Sequence, residues 1–409
     1  MDLLRGAIRG YAWGSRSVIA RMQGRPVPSD GPEAELWLGA HPGATCFVER
    51  NGSSASLGEL VAAEPLRWLG EEVFGRFGPR LPFLLKVLAA ETPLSLQAHP
   101  DADQARRGHA AQSGDGHRNY VDPHHKPELL VAVSPFEALC GFRDPLSSAA
   151  VLEAFGVPAL DPVVAALRTG PEGLREAVRR LLTWPQDDRA ALVDAVVAAE
   201  VPDEFAEQAA LARHLACHFP GDPGVVVALL LNHVVLAPGE AIWMPAGNLH
   251  AYLRGCGVEI MAASDNVLRG GLTRKHVDVP ELLRVLRYEV LAEPVLVPVE
   301  VSDGVVTWPV PVADFALHGV RLDASVRQAR LALPGPRVVL CVDGEIVADD
   351  GRGAVRIRSG QAAIGAAGAE PLTLTGSGEA YVASVGLGVS EPDRAVESRS
   401  AAAGGPEQG

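Results

Sequence analysis

The apolar positions of this chain change their spacing twice along its length. From Cys46 to about Gly141 they gather in short runs cut by Gly and Pro, among them Leu81–Leu88 and Leu94–His99. That predicts a β-rich region with helical insertions, one of them over Leu57–Leu69. Between Pro145 and about Phe219 the spacing shifts to threes and fours, in Leu174–Trp184, Arg189–Ala199 and Glu204–Phe219, and predicts an all-helical block. Strand signals return at Val225–Leu236, Ala241–Met244, His250–Tyr252 and Val258–Ala262. A helix over Pro280–Leu286 then precedes short strands at Val295–Val301, Phe315–Val320, Val338–Val342, Val355–Ile357, Ala362–Ile364, Leu372–Thr375 and Ala380–Ala383. Turn signals recur among these at roughly eight-to-twelve-residue intervals, the spacing of a sandwich or barrel. The expected fold is mainly β with an inserted α-helical domain. Its expected parts are a split β domain over 1–144 and 220–290, the helical insertion over 145–219, a β-barrel domain over 291–389 and a disordered tail over 390–409.

Composition narrows the function classes. The 409 residues carry 36 Lys and Arg against 50 Asp and Glu, a formal net charge of −14, with no basic run of five. Nucleic acid is thereby excluded as a main partner. Five cysteines lie far apart with no Cys-x-x-Cys pair, which argues against a disulfide framework and a thiolate zinc site and fits a reducing cytoplasm. The longest apolar run, Val225–Leu231, is far short of a membrane span, and the N-terminus carries no secretory pattern, so no membrane partner is expected.

Four segments concentrate candidate chemistry. In Pro93-Leu-Ser-Leu-Gln-Ala-His-Pro-Asp101, strand alternation puts Ser95, Gln97 and His99 on one face. In Asp122-Pro-His-His-Lys-Pro-Glu128, His124, His125 and Glu128 have ligand chemistry and Lys126 that of an anion-binding or acid/base group. Adjacent histidines point apart, so at most one joins Glu128. A carboxylate abutting the apolar run Leu129–Val131 needs a metal or a Lys to satisfy it. The third segment, Pro238-Gly-Glu-Ala-Ile-Trp-Met-Pro-Ala-Gly-Asn-Leu-His-Ala-Tyr252, reads as two barrel strands around a tight turn, with His250 on the second. It resembles the second half of a cupin motif, in which that His binds metal. Gln97, His99, Glu128 and His250 together form a mixed N/O set suited to zinc with an open position, or to Mn or Fe, and mark a catalytic rather than a structural site. In the fourth segment, Asp265, Asn266, Arg269 and Lys275 sit in a Gly-containing stretch after an apolar strand. A local positive cluster in so acidic a chain points to an anionic substrate.

In this order, Tyr11-Ala-Trp-Gly14, Glu35-Leu-Trp-Leu-Gly-Ala-His-Pro42, Leu81-Pro-Phe-Leu-Leu-Lys-Val-Leu88, Leu94-Ser-Leu-Gln-Ala-His-Pro100, Asp122–Glu128, Pro245-Ala-Gly-Asn-Leu-His-Ala-Tyr252 and Ser264–Lys275 resemble the motifs of the type I mannose-6-phosphate isomerases. These are zinc-dependent enzymes of the cupin superfamily. The match spans most of residues 1–280, and the region beyond about 290 matches only loosely. The resemblance implies cupin (jelly-roll) barrels, one catalytic and one C-terminal. It also implies one Zn2+ per chain on Gln97, His99, Glu128 and His250. It assigns Arg269 as the catalytic arginine, and Ser95, Lys126 and Lys275 to the substrate pocket and phosphate. Asp265, Glu35 and His41 match further pocket residues. His124 stands where the family has Asn, and Gly270 where it has Ala; neither change removes a ligand.

The implied reaction is reversible interconversion of mannose 6-phosphate and fructose 6-phosphate, a proton passing between C2 and C1 through an enediol or enediolate, in a cytoplasmic and monomeric enzyme. Arg269 would stabilise the developing charge. The proton carrier stays open among Asp265, Lys126, Glu35, His41 and a zinc-bound water. A cupin metal dioxygenase and a non-catalytic sugar-phosphate-binding cupin are the rival readings.

Overall fold

The computed structural model describes residues 1–50, 52–112 and 118–387, and the expected tail over 390–409 lies outside them. The described residues are mainly β, built on two eleven-stranded antiparallel sheets. The first sheet is centred on Phe83–Ala90, flanked by Glu35–Leu38 on one side and His250–Ala262 on the other. All eight residues of Phe83–Ala90 are buried, as expected of a central strand covered on both faces. His250–Ala262 is a single strand of 13 residues, where the spacing of apolar runs predicts two. Gly255, at φ +129, lies inside it between the two predicted runs. A Cβ at Gly255 would lie 2.7 Å from the Pro135 carbonyl oxygen, so the glycine permits close approach without ending the strand. Before this point the strand pairs with Leu96–Ala98 and Phe136–Phe142; after it, with Phe83–Ala90 and Glu128–Ala132.

The second sheet is formed mostly by strands after residue 298, of which Arg337–Asp349 and Leu372–Ser384 run 13 residues each. The predicted strands Leu372–Thr375 and Ala380–Ala383 are one, with the glycines at 376 and 378 lying inside it. Three N-terminal strands absent from the sequence reading, Asp2–Arg5, Phe47–Arg50 and Ser53–Ser56, complete this sheet, so pairing crosses the expected boundary between 1–144 and 291–389. The predicted Val295–Val301 strand is two pieces, Val295–Leu296 in the first sheet and Val299–Ser302 in the second, parted at Pro298, which has no N–H to offer a ladder. Apolar side chains of both sheets, Leu85 and Val258 with Leu317, Val338 and Tyr381 among them, share one core.

Helices occupy 145–228, between the strands Phe136–Phe142 and Leu231–Leu236, which pair with each other. The predicted start of a strand at Val225 is a short helix, Gly224–Ala228, and the strand begins at Leu231. Every side chain from Val225 to Leu231 is fully buried, and a wholly apolar run carries no period that separates helix from strand. The predicted Leu57–Leu69 helix is two, Leu57–Ala63 and Pro65–Leu69, broken where Pro65 cannot donate a backbone hydrogen bond. Among the described residues no helix is long and apolar enough to cross a membrane.

Candidate metal centre and substrate cleft

Three strand ends converge on one point. Gln97, in Leu96–Ala98, pairs with His250 on one side and Arg269 on the other, while His99 follows directly after that strand. Glu128 opens Glu128–Ala132 and is paired with both Met244 and Met261. His99, Glu128 and His250 are fully buried here, with one ligand atom from each within 4.8 Å of the others.

The hydrogen bonds define which atoms face inward. His99 Nδ1 lies 2.7 Å from the Asn266 carbonyl oxygen and His250 Nδ1 lies 3.1 Å from that of Asn248. A carbonyl only accepts, so each Nδ1 carries the proton and each Nε2 keeps a lone pair. Those Nε2 atoms stand 3.2 and 3.3 Å from Glu128 Oε2, and among the described residues neither has a hydrogen-bond partner. Two imidazole lone pairs facing a carboxylate oxygen at that range repel one another unless a cation sits between them, and backbone carbonyls holding the far nitrogens are the usual outer support of metal-binding histidines. The donor set therefore fits a divalent metal such as zinc. Burial, which outweighs the attraction of Glu128, pushes the His99 pKa down to about 4, keeping the ring in its neutral, ligating form. Burial would raise the Glu128 carboxyl, but the ammonium of Lys126, 2.9 Å from Oε1, holds it well below its usual range.

Above these residues opens a cleft of about 790 Å³ lined by Ser95, Gln97, Glu128, Lys126, Glu35, Asp265, Arg269 and Lys275. Of the remaining residues singled out in the sequence, His99 and His250 lie buried beneath its floor. His41 is buried behind its wall, with Nε2 3.4 Å from Asp265 Oδ1. His41 Nδ1 accepts from the Gly43 N–H, so Nε2 is the proton-bearing atom aimed at Asp265. Asp265 is fixed at its backbone as well, its N–H donating to Asp122 Oδ2 at 2.8 Å. Asn266, fully buried, ties the same two segments together, donating to the Asp122 and His124 carbonyls and accepting from the Val121 N–H. The Arg269 guanidinium is half-buried at the cleft wall, its basicity lowered by that burial, and Lys275 stands exposed at the mouth.

Neither histidine of the 124–125 pair joins Glu128. His125 Nε2 faces Asp314 at 3.0 Å and His124 Nδ1 faces Arg80 at 3.4 Å, so both serve the surroundings of the site and leave Lys126 as the partner of Glu128. At Gly270 a Cβ would meet Leu249 at 3.1 Å and Leu282 at 3.3 Å, so the side chains there would have to give slightly to admit an alanine.

A second charged cluster joins Glu35 to two residues not singled out in the sequence, Lys86 and Glu259. Lys86 and Glu259, each almost fully buried in a central strand, face each other at 2.9 Å on one wall of the cleft. Glu35 lies 3.5 Å from the same ammonium and accepts a 2.7 Å bond from Trp37 Nε1; the Tyr252 hydroxyl donates to Glu259 at 2.7 Å. The signal was present: a single Lys in Leu81–Leu88 and a single Glu in Val258–Ala262 are lone charges in apolar strands, and such charges are buried only when paired. Tyr11 and Trp13 add stacked rings, 5.7 Å between centroids, to the cleft lining.

The site can thus hold a metal, present fixed cations to an anionic ligand and offer a hydrogen-bonded carboxylate for proton transfer. Comparison with known proteins agrees. Residues 1–145 match the family model of the phosphomannose isomerase type I catalytic domain. The mannose-6-phosphate isomerase of Escherichia coli K12 is 35% identical over 390 residues, covering 92% of this chain and 98% of that protein. The human mannose-6-phosphate isomerase is 32% identical over 391 residues, with 84% and 87% covered. Among solved structures, a variant of phosphomannose isomerase from Salmonella typhimurium superposes with a TM-score of 0.85 at 33% identity, over 95% of this chain and all of that one. A mannose 6-phosphate isomerase bound with zinc and yttrium superposes with a TM-score of 0.84 at 32% identity over the same shares. With its sequence aligned across nearly the whole length of these relatives and its buried His99–Glu128–His250 centre intact, the chain belongs to the type I phosphomannose isomerase family.

Proposed function

We propose that this chain interconverts mannose 6-phosphate and fructose 6-phosphate at the cleft above His99, Glu128 and His250. The observation that carries the reading is the pair of unpartnered Nε2 atoms trained on Glu128 directly below a cleft lined with Arg269, Lys126 and Lys275. His99, Glu128 and His250 would hold one zinc ion, with Gln97 on the adjoining strand as fourth ligand. Bound there, zinc supplies a Lewis acid that polarises the sugar carbonyl and lowers the cost of removing the neighbouring proton.

The protein groups divide the remaining work. Lys275 and Ser95 bind the phosphate, and Lys126 holds Glu128 with one edge of its ammonium while donating to a substrate oxygen with another. Asp265 carries the proton. Its carboxylate takes the proton from C2 of mannose 6-phosphate in the open-chain form, the C2–H electron pair becomes the double bond of an enediolate, and the same carboxyl returns the proton to C1 while the hydroxyl proton on O2 passes to O1, leaving the carbonyl at C2. His41, donating from Nε2, keeps the carboxylate oriented. Arg269 provides the fixed positive charge beside the enediolate oxygens, where charge develops. The Lys86, Glu35 and Glu259 cluster shapes the wall that receives the sugar hydroxyls.

We further read the two sheets as cupin barrels, the first catalytic over 1–144 and 220–290 and the second over 291–389 with N-terminal strands added. The helices of 145–219 are an inserted domain, supported by their position between two paired strands. Five free cysteines support a cytoplasmic location, and a monomer is the expected state.

The test is turnover of mannose 6-phosphate by purified protein as isolated, after chelation, and with zinc restored. Activity lost and regained with zinc supports the reading. Zinc-loaded protein without turnover would favour a sugar-phosphate-binding role, and oxygen uptake with ferrous iron would favour a dioxygenase.

A further inference from the structure

The segment that carries Arg269 and Lys275 has an unfavourable backbone. Gly271 has φ +124, and Leu272, with a branched side chain that is almost fully buried, has φ +50, a region costly to any residue with a Cβ. Something outside the segment must hold it. Asp222, in the turn between the last long helix, Ala206–His218, and Gly224–Ala228, does so: Oδ2 accepts from the Thr273 N–H at 3.0 Å and Oδ1 from the Gly224 N–H at 2.7 Å. The two backbones meet with no room for a side chain. A Cβ at Gly224 would come within 2.7 Å of Leu272 N, and one at Gly271 within 2.8 Å of Gly224 Cα. From Thr273 the constraint passes on, since its Oγ1 accepts the Lys275 N–H at 3.1 Å. Thr273 and Lys275 line both the substrate cleft and a smaller cleft of about 380 Å³ on the Asp222 side.

We infer that Asp222 is a positioning residue: its carboxylate clamps the Leu272–Lys275 turn onto the end of the helical block and so aims Lys275 at the substrate phosphate. The inference rests on the reading of Lys275 as a phosphate-binding group. It gives the helices a part in substrate affinity although Asp222 does not line the substrate cleft.

The experiment compares zinc-loaded wild-type, Asp222→Ala, Asp222→Asn, Lys275→Ala and the Asp222→Ala/Lys275→Ala double variant. Zinc content, kcat and KM for mannose 6-phosphate and Ki for inorganic phosphate are measured on each. Asp222→Ala is expected to raise both KM and Ki about tenfold while zinc content stays full and kcat moves less than about twofold. Asp222→Asn keeps one acceptor oxygen and is expected to fall between, and it decides the matter should the alanine variant not fold. In the Lys275→Ala background the Asp222 substitution is expected to add less than about twofold, because residues that act through one another are not additive. Unchanged KM and Ki in the folded Asp222 variant, a loss of stability alone, or a full additional effect on top of Lys275→Ala would each overturn the clamp. If Lys275→Ala itself leaves both constants unchanged, the phosphate reading has failed and takes the inference with it.

Discussion

Arg269 lies directly across from Gln97 in the antiparallel pairing of Leu268–Gly271 with Leu96–Ala98, and Gln97 faces His250 on its other side. A guanidinium, an amide and an imidazole therefore stand in one row across three hydrogen-bonded strands. Rigid elements of this kind hold reacting groups more closely than loops do. Arg269→Ala is expected to retain zinc and to lower kcat about 10²- to 10³-fold with a small change in KM, the behaviour of a charge that matters most in the transition state. Steady-state kinetics beside metal analysis checks it, and a rise in KM alone would make Arg269 a binding residue only.

The three-residue buried centre predicts coupled loss of metal and stability. His99→Ala, Glu128→Ala and His250→Ala should each lower bound zinc, and chelated wild-type should melt at a lower temperature than zinc-loaded protein. A metal present at 100 times its dissociation constant adds about 2.7 kcal/mol to the native state. Calorimetry with and without zinc reads the difference directly; identical melting curves would mean that the metal contributes nothing to the fold.

Lys86 makes a prediction about the fold rather than the chemistry. Its ammonium sits between the Glu259 and Glu35 carboxylates and over the face of Trp37. Lys86→Met would leave two buried carboxylates uncompensated, a loss of about 3–5 kcal/mol. Burial opposes the charge on Lys86, but Glu259 and Glu35 overcome it and raise the pKa above the ordinary 10.5. A raised folded-state value means that the contribution is complete below 10.5 and fades only as the solution becomes more alkaline. Denaturant melts of the variant at neutral pH, and of wild-type into the alkaline range, test both parts.

The thiols separate cleanly. Cys217 is exposed, whereas Cys46, Cys140, Cys256 and Cys341 are buried, and burial pushes the last three up to about 12. A thiol with such a value is ionised in about one molecule in 10⁴ at pH 8, and the thiolate is the reactive form. Native protein is expected to react with one equivalent of a thiol reagent at that pH and unfolded protein with all five. A second fast equivalent would show that one of the buried sites opens readily.

Much of the site was legible because its residues break local rules. Glu128 abutting an apolar strand, and His250 after the tight turn at Gly247, are polar groups in places that need a reason, and the structure supplies one in the convergence of His99, Glu128 and His250. Lys86 and Glu259 break the same rule more quietly, as single charges inside apolar runs, and their pairing is visible only once strands distant in sequence lie side by side. The helical block was readable from its three-to-four spacing, except at Val225–Ala228, where a run buried on every side has no polar face to reveal its period. The glycines at 255, 376 and 378 misled for a related reason. In isolation they read as stops, yet inside a sheet they admit a neighbouring backbone. The N-terminal strands carry little local signal because Asp2–Arg5 and Ser53–Ser56 are short and only partly buried, and the partners of Asp2–Arg5, Phe47–Arg50 and Ala362–Gly365, lie far along the chain.

Asp2–Arg5 has one further consequence, for how the protein is made. Asp2 is paired with Ile364, so this strand cannot take its final place until more than 360 further residues have been added. A ribosome adding about 5–20 residues per second needs roughly 20–70 s to cover that interval. Throughout it the first strand has only Phe47–Arg50 beside it in the sheet, and its other edge stays open to wrong partners until the C-terminal half arrives to cover it.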